Sequence, residues 1–228
     1  MQAVDDLQSG ATGHLRLCAN PSAFGGFLPS VLAEYARRYP HVVIDMEDAL
    51  SEDGIRAVLK GTAELAVIGD NVPHEGLETI VCNVDQLVLL VPAGHALDSR
   101  QNASLADVLD HDLVTLARSA SLTRKVMAAA DAVKRTPRIR VQVRSFDSMC
   151  RMVSFGLGLA ILPRAAAALY AQALGLVQVG LEGIEMERVL LLAMRSRPEL
   201  SAPAAALVEM IESTAAFSGA RHSPKPAG

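Results

Sequence analysis

One arrangement of strands and helices occurs twice in this sequence, about a hundred residues apart, and that duplication limits the folds open to the chain. Leu15-Arg16-Leu17-Cys18-Ala19 reads as a short strand broken by Asn20-Pro21-Ser22. Apolar residues then recur at helical spacing (Phe27, Leu28, Val31, Leu32, Tyr35). That helix must stop near Tyr39-Pro40, because the residue before a proline avoids helical angles. The strand Val42 to Met46, a helix carrying Ile55, Val58 and Leu59, Gly61, and the strand Leu65 to Ile68 complete a βαβαβ order. The second copy runs through the strand Leu113 to Leu116, a helix bearing Leu122, Val126, Ala129 and Val133, and the strand Ile139 to Val143. It closes with a helix bearing Phe146, Met149 and Val153, and the strand Leu159 to Leu162. Strands alternating with helices of this length build parallel sheets with right-handed crossovers, so two similar α/β lobes are expected.

Gln86 to Pro92 follows the first copy and Arg188 to Met194 the second, and each is long enough to pass between lobes. Two passages make a hinge around a cleft and bring the last helix, with Leu207, Val208 and Ile211, back to the first lobe. The expected division is therefore 13–92 with 190–216 as one lobe, 93–189 as the other, and a disordered polar tail over 217–228.

In open parallel sheets a ligand sits beyond the carboxyl ends of the strands. In the first lobe that rule selects Asn20, Pro21, Ser22 and Ala23, with Ser51 opening the next helix and Gly69 ending the third strand. In the second it selects Arg118, Ser119 and Ser121, with Ser145, Phe146 and Asp147. These loops precede helices, so each offers free backbone N–H groups to an anion such as a carboxylate. The same residues also serve as ordinary helix caps, which satisfy those donors internally. Arg118 is the guanidinium expected to pair with the anion, against the alternative of a surface arginine.

Composition narrows the function classes. Half of the 228 residues are apolar and a fifth charged, enough for a true core, and the net charge of −4 argues against binding nucleic acid over the whole surface. A local exception is the basic stretch from Arg118 to Arg151. No apolar run approaches the ~20 residues of a membrane span, and Met1 to Asp6 does not resemble a secretory signal, so a cytoplasmic address and no membrane partner are expected. Cys18, Cys82 and Cys150 lie far apart and read as buried thiols, with redox switching the lesser alternative. The six histidines are scattered, and Gly156-Leu157-Gly158 lacks the third glycine of a dinucleotide fingerprint. No catalytic residue, cofactor or metal is expected.

Five blocks resemble the effector-binding domain of LysR-type transcription regulators in order and spacing. They are Gly13 to Leu17; Phe27-Leu28-Pro29 leading to Tyr39-Pro40-His41-Val42; Gly61 to Ile68; Leu87 to Leu97; and Val153 to Pro163. The resemblance covers about residues 13 to 215 and implies a periplasmic-binding-protein type 2 fold, a small-molecule effector in the cleft, and a homodimer, or a tetramer of the full-length protein. It implies an interface of the helix around Val31 to Tyr35 and strand Val42 to Met46 against the helix around Val126 to Val133 and strand Ile139 to Val143. Glu64 stands where the family commonly has aspartate, a position that is usually structural. The family carries a winged helix-turn-helix and a linker helix ahead of this domain. Residues 1–12 are read as a linker remnant, so the chain is expected to be truncated, with DNA contacted only through the missing head. A transport receptor and, less favoured, an enzyme on the same scaffold are the rival readings.

Overall fold

The computed structural model describes residues 12–182 and 187–219, with side chains of the last helix as far as Ser213. The expected linker remnant thus lies outside the described residues apart from Thr12, and of the expected tail only 217–219 is described, as the end of that helix.

The first copy consists of β1 (Gly13–Ala19), α1 (Pro21–Phe24), α2 (Leu28–Arg38), β2 (Val42–Asp48), α3 (Ser51–Lys60) and β3 (Leu65–Gly69). Next come β4 (Glu78–Pro92), β5 (Asn102–Ser104) and α4 (Leu105–Leu109). The second copy is β6 (Asp112–Leu116), α5 (Ser121–Ala132), β7 (Arg138–Val143), α6 (Phe146–Ser154) and β8 (Ala160–Pro163). The chain continues through α7 (Arg164–Leu174), β9 (Leu176–Glu182), β10 (Glu187–Met194) and α8 (Ala202–Gly219).

The duplication extends to strand pairing. In the first lobe β1 lies parallel to both β2 and β3, and β3 is flanked by antiparallel β10. In the second, β6 lies parallel to β7 and bridges in parallel to Leu159 at the start of β8, which is flanked by antiparallel β4. The inner strands β3 and β8 are buried at every position, as parallel strands covered on both faces must be, whereas the edge strands β2 and β7 are mostly exposed.

β4 joins the lobes by changing partners midway. Glu78 to Gln86 pairs with β10, and Leu87 to Pro92 pairs with β8 and β9. The ladders therefore form one continuous path through β4, while the cores separate. Leu15, Leu17, Tyr35 and Leu65 pack with Leu207, Val208 and Ile211 of α8, which has returned to the first lobe as expected. Leu87 to Val91 instead pack with Leu113, Met149, Val153 and Leu162 of the second lobe. Tyr35 ties α8 down further, its buried hydroxyl donating to Pro203 O at 2.8 Å.

The three cysteines are buried and unpaired. Burial pushes the Cys82 and Cys150 thiols up to about 12 and raises Cys18 as well, which removes the thiolate that redox sensing requires.

Candidate functional site

Arg188 stands at the second residue of β10, where that strand pairs with the middle of β4. A charged residue at the head of an apolar strand would ordinarily reach solvent. Here the side chain points between the lobes and is 1 % exposed. Its Nε donates to Ser22 Oγ of the first lobe at 3.0 Å and its Nη2 to Ser121 Oγ of the second at 2.7 Å. Nη1 is buried without a partner, and no carboxylate forms an ion pair with Arg188 among the described residues. Burial lowers its affinity for a proton, to about 10, and the fields of Asp70 and Asp85 oppose that shift, so it remains charged near neutrality.

The serines owe their positions to helix starts. Asn20 caps α1, its Oδ1 accepting from Ala23 N at 3.1 Å, and Ser22 lies inside that first turn. Ser51 opens α3 and accepts from Gly69 N at 3.1 Å. Ser121 opens α5 opposite, within 3.5 Å of Ser51 Oγ. Asn71 Nδ2 adds a bond to Ser121 O at 2.9 Å. Gly69 is required by closeness, since a Cβ there would stand 2.8 Å from Ser121 Cβ and 2.9 Å from Asn71 Oδ1. Between these groups lies a gap with about 190 Å³ of unfilled space, partly open to solvent, lined by Asn20, Pro21, Ser22, Ser51, Ser121 and Arg188 together with apolar side chains. Its polar lining is one cation and neutral donors, an environment that favours an anion.

The structure thus brings Asn20, Pro21, Ser22, Ser51 and Ser121 together, with Gly69 directly beneath Ser121. Ala23 is buried in the first-lobe core. Arg118 and Ser119 are exposed in the loop before α5 and do not line the gap. Ser145 caps α6 by accepting from Ser148 N, and Asp147 pairs with Arg151 on the same helix. Phe146 is buried in the second-lobe core, with its ring at the α1–α2 turn, 2.9 Å from where a Cβ of Gly25 would stand. The guanidinium between the serine loops is Arg188, which the loop rule could not select because it lies within a crossing strand. Its one trace in the sequence is a lone arginine leading the apolar run Val189 to Leu192.

A second contact spans the cleft. Arg124 Nη1 of α5 donates to Glu52 Oε1 of α3 at 2.6 Å, and this arginine holds the Glu52 carboxyl below the usual range. The pair is half exposed, so its contribution is modest. Glu52→Gln is expected to weaken ligand affinity about two- to fivefold by loosening closure, measured by calorimetry. Because the folded pKa is depressed, the contribution is present above the ordinary glutamate range and is lost as pH falls through the folded value.

Among the described residues no group of three or more His, Cys, Asp or Glu could hold a metal, and no helix is long and apolar enough to cross a membrane.

Residues 8–216 match the family model described as the LysR substrate binding domain. A relative named probable RuBisCO transcriptional regulator, from Trieres chinensis, is 25 % identical over 206 residues, covering 87 % of this chain and 66 % of its own length. The curated relatives it matches are longer proteins, of which the chain spans 50 % in the shortest of the first overlaps. Two solved structures share the fold. The CcmR regulatory domain of Synechocystis PCC6803 in complex with 2-PG superposes with a TM-score of 0.80 at 17 % identity, over 89 % of this chain and 97 % of that one. The effector binding domain of QuiR in complex with shikimate superposes with a TM-score of 0.77 at 15 % identity, over 94 % of this chain and 100 % of that one. With the duplicated lobes, the two-strand hinge and the family match in agreement, this chain belongs to the LysR substrate binding domain family, the effector-binding part of LysR-type transcription regulators.

Proposed function

We propose that this domain senses a small anion held between the lobes on Arg188, and that the resulting closure is passed through a homodimer to DNA-binding heads outside this chain. The observation that carries the reading is the unpaired, buried Nη1 of Arg188 inside a cradle of neutral hydroxyls. A guanidinium has five donors; with Nε–H and one Nη2–H engaged by serines, the end-on Nη1/Nη2 edge is left for a carboxylate. Its serine partners come from opposite lobes, so an anion on this edge favours the closed arrangement over the open one. The complexes of CcmR with 2-PG and QuiR with shikimate support a small ligand in this fold. Arg118 and Ser119, exposed beside α5, are assigned to the approach of the ligand, and Asn20, Pro21, Ser22, Ser51 and Ser121 to its enclosure.

Charge complementarity supports the dimer. The exposed edge strand β2 carries Asp45, Glu47 and Asp48 beside exposed Val43 and Met46, whereas β7 carries Arg138 and Arg140 with Arg144 just beyond it. Opposite charges on the edges of the two lobes suit pairing of lobe one of one copy with lobe two of the next. A cytoplasmic location and regulation of transcription follow for the parent protein.

The test is calorimetric titration of small carboxylates into the wild-type chain and Ser22→Ala. A carboxylate that binds should lose about tenfold in the variant, the worth of one charge-assisted hydrogen bond. Affinity unchanged by the substitution would overturn the assignment of the site.

A further inference from the structure

Two polar atoms of this molecule are buried without partners on either side of one pair of leucines. The first is Arg188 Nη1. The second is Oγ1 of Thr115 on β6, a residue only 7 % exposed. Thr115 lines an unfilled region of about 260 Å³, partly open to solvent, walled by Leu113, Val114, Val126, Met149 and Ile161. Leu116 and Leu122 line this region and the Arg188 gap alike, and so form the partition between them. The hydroxyl is not explained by local structure: the neighbouring Thr123 donates to Leu116 O at 3.1 Å, while Thr115 Oγ1 bonds to nothing. Valine would fill the same volume without leaving a buried hydroxyl unpaired, a penalty of the kind that persists where a ligand relieves it.

We propose that this region receives the apolar part of the effector, an amphipathic monoanion. Its acid group sits on Arg188, its hydrocarbon body passes Leu116 and Leu122, and one oxygen on that body hydrogen-bonds Thr115 Oγ1. The inference rests on the Arg188 reading above. The Arg188 gap contains one guanidinium and no carboxylate, which matches one negative charge. The region beyond is apolar apart from its two threonines, so a second charge there would be desolvated and uncompensated. Both spaces are smaller than the ~300–1,000 Å³ of drug-sized pockets, so the body is a short chain or a single ring. The free space is distributed between side chains, and entry requires Leu116, Leu122 or Met149 to change rotamer.

The test is an NMR titration of the chain with acetate, butyrate, 3-hydroxybutyrate, 4-hydroxybutyrate, benzoate and 3-hydroxybenzoate. Butyrate or benzoate is expected to bind at least tenfold tighter than acetate, and one hydroxylated acid about fivefold tighter than its parent. Thr115→Val should abolish the hydroxyl advantage and leave acetate unchanged, while Thr115→Ser retains the advantage. Equal affinity for acetate, butyrate and benzoate overturns this inference, as does no hydroxylated acid outbinding its parent or a hydroxyl preference that survives in Thr115→Val. If acetate binds and depends on Arg188 in those cases, the anion site stands and only the apolar seat falls. Binding of the same acids unchanged in Arg188→Met removes both.

Discussion

Arg188→Met is expected to lower affinity for a small carboxylate by at least about 100-fold and to leave the fold as stable as before or more so. The two effects have one cause. In the free protein this guanidinium is held between lobes at 1 % exposure, with two serine acceptors and an unpaired Nη1. A buried charge without a counterion costs stability, and replacing it by a methionine of similar length removes that cost, a gain of up to ~1–3 kcal/mol. The bound anion is the missing counterion, so truncation removes ~3 kcal/mol or more from binding. Stability and affinity should therefore move in opposite directions, which a merely structural arginine would not produce. Arg188→Lys keeps the charge and loses the planar fork, and should fall between the two. The folded pKa is depressed, to about 10, so the guanidinium is charged in both folded and unfolded chains near neutrality, and its destabilising contribution is relieved only as pH rises above about 10. Affinity for a fully ionised carboxylate should accordingly be flat from about pH 6 to about pH 9 as far as Arg188 is concerned. Calorimetry and thermal melts read both halves; a parallel loss of stability and affinity would contradict the assignment.

Gly158→Ala should be the most damaging small substitution in the second lobe, lowering stability by ~2–4 kcal/mol. Gly158 has a φ of +145°, outside the region that residues with a side chain tolerate, and a Cβ there would stand 2.6 Å from Asp112 O. The backbone is forced this close because Leu159 N donates to Asp112 O at 2.8 Å and Val114 N to Leu159 O at 2.8 Å, the bonds that attach the third strand of the lobe to its first. Moving the alanine away breaks them. For a domain of this size the loss corresponds to a melting temperature lower by about 5–15 °C. Gly156 supplies the control: its φ is +73° but nothing lies within 4 Å of its missing Cβ, so Gly156→Ala should cost only ~1 kcal/mol. Equal costs at the two positions would show that crowding against Asp112 is not what selects glycine at 158. The Gly156-Leu157-Gly158 run that lacks a dinucleotide fingerprint is thus a strand junction.

Local rules located the elements. Periodicity of apolar residues placed both βαβαβ runs, and the return of α8 followed from two crossings. The partner exchange of β4 was less legible: Glu78 to Gln86 has neither a continuous apolar run nor clean alternation, because one half of that strand serves each lobe. The site divides in the same manner. Asn20, Ser22, Ser51 and Ser121 were accessible because helix starts at strand ends are fixed by short-range chemistry. Arg118 satisfied the same rule but lies exposed, since a loop position constrains the direction of a side chain weakly.

What the sequence determined by itself is whatever depends on neighbours along the chain: the repeated strand and helix order, the hydroxyl-bearing helix starts, the apolar strands and the family to which they belong. Which cation faces the gap, how closely Gly69 approaches Ser121, and which hydroxyl is left unpaired were decided only by tertiary structure. Arg188 and Ser22 are 166 positions apart, and Arg188 and Ser121 are 67 apart. Contacts over such separations arise from how two lobes close on a shared pair of strands, and no local pattern of residues encodes that distance.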